Sequence, residues 1–114
     1  MTREEIRECL DTLGLYYDPD HPDHISREKI DTLPPPFMEW GTQERYIRAD
    51  GTDYLTYLEL IVRVYSDENE DHPVMTPDGK TISAALRECF DSVRREQTYD
   101  DEIGLYETNY TARV

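Results

Sequence analysis

Apolar residues recur along the chain with two distinct periods, and these predict its elements. Near the N-terminus Ile6, Cys9, Leu10 and Leu13 fall at i, i+3, i+4 and i+7, one stripe of a short helix. Thr2-Arg3-Glu4-Glu5 precedes the stripe as a capping box, with Thr2 as N-cap and Glu5 at N3, and Gly14 stands where a glycine ends the helix. A second stripe, Ile82, Ala85, Leu86 and Cys89, with Val93 beyond it, predicts a helix at about 80–90. Between them the period changes to two. The run 52–65 (TDYLTYLELIVRVY) carries Leu58, Leu60, Val62 and Val64 on one face, and Tyr57, Glu59, Ile61, Arg63 and Tyr65 on the other. Residues 45–49 flank the same Asp50-Gly51, a pair that favours a tight hairpin turn. Phe37-Met38-Glu39-Trp40 reads as a further strand over 37–42, entered through the stiff Pro34-Pro35-Pro36. At the end of the chain, 92–99 and 104–113 alternate like two strands joined at Asp100-Asp101, with Tyr106, Thr108, Tyr110 and Ala112 on one face.

The predicted order is therefore α, β (37–42), β (45–49), β (52–65), α, β, β. It defines an α+β fold: an antiparallel β-sheet of four to five strands with two α-helices packed on one face. The 114 residues suit one domain, 1–114, with a Pro/Asp/His-rich loop at about 16–36. No apolar run approaches the roughly 18 residues of a membrane span, and TREEIREC is not a signal peptide, so the expectation is a soluble intracellular protein that does not engage a membrane. Cys9 and Cys89 each sit on an apolar helix face, which favours free buried thiols over a disulfide.

Charge narrows the functions. Twenty-six acids against 12 bases leave a formal charge of −14, and such a surface repels nucleic acid and anionic membrane. Three roles survive: a plain solvated surface, an acidic mimic of DNA that inhibits a DNA-binding protein or nuclease, or a wall past which DNA slides without specific binding. The run Asp67, Glu68, Glu70 and Asp71 is a solvated loop on the first reading and a DNA-repelling patch on the last.

Candidate chemistry is sparse. Asp18, Asp20, His21, Asp23 and His24 have the side chains of a metal site and would serve a metal-dependent hydrolase. Their spacing matches neither a zinc motif nor a calcium loop, and Pro19 and Pro22 fix the backbone, so a solvated loop is the stronger reading. His72 has no nucleophile motif beside it, and the five glycines are scattered singly, away from any phosphate loop. The expectation is a protein without enzymatic activity or cofactor. Trp40 and the stripe Tyr57, Ile61 and Tyr65 suit either a core or a subunit interface. Arg45, Arg48 and Arg63 would pair with carboxylates of a neighbouring copy or of their own sheet.

Four segments together resemble a family of small proteins of tailed phages and prophages: tail terminator, tail completion, and minor capsid or neck proteins. They are the opening TREEIRECLDTLGL, the proline lead into PPPFMEWGT, the hairpin RYIRADGTDYLTYLELIVRVYSDENE, and the closing QTYDDEIGLYETNYTARV. The 18–33 segment and the loop at 69–80 are longer than the family pattern. The resemblance implies a homo-oligomeric ring, typically a hexamer, at the head-proximal end of a tail. Such a ring stops tail-tube growth, meets the tail-tube protein and the head-completion or connector protein, and performs no chemistry. It implies residence in the virion after assembly in the host cytoplasm.

Overall fold

The computed structural model describes residues 1–48, 54–67 and 72–114, the side chains of 47, 48, 54 and 55 excepted. Asp50, Gly51, Glu68, Glu70 and Asp71 lie outside the described residues, and with them the predicted Asp-Gly turn and most of the acidic run. Seven elements follow in order: α1 (Arg3–Asp11), α2 (Arg27–Thr32), β1 (Phe37–Arg48), β2 (Tyr54–Ser66), α3 (Ile82–Cys89), β3 (Asp91–Asp100) and β4 (Leu105–Arg113). The strands form one antiparallel sheet in the order β1-β2-β4-β3, so the fold is the α+β architecture expected.

Helix α1 begins with the capping box read from the sequence. Thr2 Oγ1 accepts from the Glu5 N–H while Glu5 Oε1 accepts from the Thr2 N–H. Its stripe Ile6, Cys9 and Leu10, with Leu13 just beyond, is buried against the even-numbered face of the sheet. Helix α3, capped by Thr81, lays Ile82, Ala85 and Leu86 on the same face. Met38 and Trp40 of β1, Leu60, Val62 and Val64 of β2, and Tyr110 and Ala112 of β4 complete this main core. Gly14 takes φ +70, and a Cβ there would stand 2.6 Å from Pro77 Cγ, so the turn after α1 requires glycine on two counts.

Several expectations are corrected. The predicted strands 37–42 and 45–49 are one strand, because β1 pairs with β2 without interruption from Phe37↔Tyr65 to Arg48↔Tyr54. The 16–36 segment is not all loop: Ser26 caps the six-residue α2, whose short length and single apolar residue, Ile30, leave no periodic stripe to read. It lies on the odd-numbered face, where Ile25, Phe37 and Tyr65 form a second small core with Ile30, Leu33, Ile103 and Leu105. The last turn spans 101–104, closed by the Gly104 N–H donating to the Asp100 carbonyl, so it is longer than the Asp100-Asp101 turn expected.

The cysteines are also corrected: Cys9 and Cys89 form a disulfide that joins α1 to α3. The stripes placed each cysteine on an apolar face, but a single periodicity carries no information about which helix lies beside which. Here the two helices are neighbours on one sheet face, and the Cα atoms come within 6.5 Å. The bridge closes a sequence separation of 80 residues, which a chain-entropy argument values at about 4 kcal/mol. Scanning calorimetry with and without reductant should therefore show Tm falling by about 10 °C or more on reduction. A transition indifferent to reductant contradicts the bridge.

Candidate functional site

Strand alternation sorts the odd-numbered face into rows. Glu39 of β1 lies opposite Arg63 of β2, which lies opposite Asn109 of β4. Phe37, Tyr65 and Glu107 form the next row toward α2, and Gly41, Ile61 and Thr111 the next row away from it. Glu39 is the organising residue. It is 5% exposed, and its carboxylate accepts from the Ile25 N–H at 2.7 Å, the Tyr65 hydroxyl at 2.9 Å and Arg63 Nη1 at 3.4 Å. A buried carboxylate is tolerated only with such a set of donors, here two side chains of β2 and a backbone N–H of the segment before α2. Arg63 also donates to Asn109 Oδ1 and pairs with Glu107 at 3.0 Å, so the lattice runs across three strands. Burial, and then the Glu39 carboxylate beside it, pushes the Tyr65 hydroxyl up to about 12.

This lattice divides the face. On one side of it the segment 22–33 covers the sheet; on the other the sheet is bare among the described residues. A hollow of about 190 Å³ opens at the boundary, lined by Asp23, Glu39, Gly41, Gln43, Ile61 and Arg63 among others. Beyond it Arg45 and Gln43 both donate to Glu59, and the Arg113 guanidinium lies 4.2 Å from the centroid of the Tyr57 ring. A second hollow, of about 140 Å³, holds Tyr57, Glu59, Ser92, Arg94 and Arg113. Among the described residues, from Tyr46↔Thr56 outward β1 and β2 pair only with each other, since the chain end after β4 reaches β2 no further than the Val114 N–H donating to the Leu58 carbonyl. They project as a two-stranded arm from a molecule of 49 × 30 × 28 Å, with Tyr46 65% exposed.

The residues singled out by sequence are distributed as follows. Asp18, His21, Asp23 and His24 line one hollow with Ser26 and Lys29, but among the described residues no group of three or more potential ligands is placed to hold a metal ion. Asp18 instead accepts from the N–H groups of Asp20 and His21, which hold its carboxyl below its ordinary value, and Lys29 stands 4.0 Å away. Asp20 and Asp23 are exposed, and His24 approaches Glu39 at 3.9 Å. Trp40 is core, not interface: it is 1% exposed, with Tyr17 at its edge and Arg3 over its ring. Tyr65 is likewise interior, stacked on Phe37. Tyr57 and Ile61 remain half-buried on the bare part of the face, where an interface stripe would lie. Arg45 and Arg63 take carboxylates of their own sheet, and the Arg48 side chain is outside the described set. Asp67 is exposed. Sequence reasoning passed over Glu39; its signal was a charged residue between Phe37, Met38 and Trp40, at the start of a strand where all four positions are buried.

Compared with protein-family models, with curated proteins and with solved structures, the chain matches none. Among the described residues no helix is long and apolar enough to cross a membrane.

Glu39→Ala removes the acceptor for three donors at once and should cost about 2–3 kcal/mol in urea unfolding. The Tyr65 pKa is raised on folding, so the stability it contributes is complete below about pH 10 and is lost as pH rises toward about 12. That alkaline decline should shrink in Glu39→Ala. A variant as stable as the parent, with an unchanged decline, removes Glu39 from its central place.

Proposed function

We propose that this chain is a structural subunit of a tailed-phage virion, of the tail terminator, tail completion or neck class. In this reading copies assemble into a homo-oligomeric ring, a hexamer by the family pattern, that ends tail-tube growth and joins tail to head. Tail-tube and head-connector proteins are its partners, and DNA passes through without specific binding. The observation that carries the reading is the β1–β2 arm beside a half-bare sheet face. A two-stranded ribbon on its own is marginal in water, and it gains stability by lying on another surface. Subunits of rings supply such surfaces to one another through head-to-tail contacts. Among the described residues β3 has no neighbouring strand on its outer edge, whereas the start of β1 is covered by its own chain, Met38 and Trp40 donating their N–H groups to the Tyr16 and Pro22 carbonyls.

The other reading, an acidic DNA mimic, draws on the −14 charge. The odd-numbered face counts against it, because its carboxylates Glu39, Glu59 and Glu107 are each held by arginine instead of being displayed as a phosphate-like row.

Mass photometry of the purified chain, alone and with tail-tube protein, tests the proposal. A closed ring of defined number that binds tube ends is the expected result. A strict monomer that ignores tube ends contradicts it.

A further inference from the structure

Charge is segregated along the strand axis. At the end where β1 begins and the β3–β4 turn lies, Glu28, Asp31 and Asp101 are exposed, and none of them makes an ion pair among the described residues. The two bases at this end are already engaged, Arg27 with Glu102 at 3.0 Å and Lys29 with Asp18 at 4.0 Å. At the opposite end of the strands, beside the arm, Arg45, Arg94 and Arg113 gather on the bare face and outnumber the one exposed carboxylate in register with them, Asp91 opposite Arg113. Arg45 is held by Glu59, but Arg94 and Arg113 are exposed and have no carboxylate within ion-pair distance among the described residues. For a chain with 26 acids and 12 bases, arginines left without a carboxylate at one end and carboxylates left without a base at the other are an unmatched pair of surfaces.

We propose that copies of this chain associate head to tail, the arginine corner Arg45, Arg94 and Arg113 of one copy receiving the acidic end Glu28, Asp31 and Asp101 of the next. The identity of the occupant rests on the ring reading above; the polarity of the contact does not. Like ends repel, which disfavours a symmetric dimer built on either end alone, whereas opposite ends attract. A contact between two different surfaces repeats from copy to copy and closes into a ring when its rotation allows. Arginine suits the task because its planar fork takes a carboxylate through two hydrogen bonds, and Tyr57 already backs the Arg113 guanidinium. Exposed ion pairs are individually weak and screened by salt, so their contribution is to fix orientation and partner while the arm supplies buried area.

Charge reversal in the full chain tests this. Arg94→Glu/Arg113→Glu and Glu28→Arg/Asp101→Arg are surface changes that should leave the circular dichroism spectrum and Tm close to those of the parent. By sedimentation velocity at low salt, each variant alone should need at least tenfold more protein to assemble, and an equimolar mixture of the two should recover the parent's assembly. Raising salt should weaken the parent. Assembly that is indifferent to salt and to both variants overturns the polarity and leaves the ring reading standing. A parent that assembles no further than a dimer overturns the head-to-tail contact, and a parent monomeric at every concentration overturns both.

Discussion

The buried carboxylate of Glu39 is the constraint from which the arrangement of the odd-numbered face follows. It ties the backbone of Ile25, the hydroxyl of Tyr65 and the guanidinium of Arg63 to one point. Through Ile25 it anchors the long connection between α1 and β1 against the sheet, and through Arg63 it reaches Asn109 and Glu107 on β4. Without an acceptor there, the Ile25 N–H and the Tyr65 O–H would be buried donors with no acceptor, beside the small core of Ile25, Phe37 and Tyr65. The covered half of the face is therefore held by polar contacts as much as by apolar ones. Its boundary falls at the hollow between Asp23, Gly41 and Ile61.

The two faces of the sheet accordingly do different work. The even-numbered face carries the main core, closed by α1 and α3 and by the Cys9–Cys89 bridge between them. That face is finished within the chain. The odd-numbered face is finished only where α2 lies. Past the Glu39 lattice come a half-buried Ile61, a Tyr57 ring under a guanidinium, and a two-stranded arm with no third strand among the described residues. An unfinished face beside a projecting arm is the feature that a folded chain would retain for assembly, and charge segregation along the strands gives such an assembly a direction.

Much of the main core was legible in the sequence, because its elements are periodic. The Thr2 cap, the two helix stripes, the Leu60-Val62-Val64 face and the Thr108-Tyr110-Ala112 face all rest on local spacing, and each lies where spacing puts it. What local spacing cannot carry is adjacency. It set Cys9 and Cys89 on apolar faces without bringing α1 beside α3, and it gave Tyr65 a face without the segment that covers it. Trp40 stood between core and interface for the same reason. Gln43 and Glu44 fell between the two predicted strands, yet the pairing with Glu59 and Leu58 runs straight through. The 18–24 cluster shows the converse: a ligand-rich composition whose carboxylate at Asp18 is spent on its own backbone turn.

We infer that the bare half of the odd-numbered face and the arm beside it are where the next copy binds. Hydrogen exchange followed from dilute to concentrated protein tests it most directly. Protection should rise with concentration in 41–46, 56–61 and 109–113 and in the turn at 100–102, while α1 and α3 exchange as before. Protection that does not change, or that rises on α1 and α3 instead, would contradict the account.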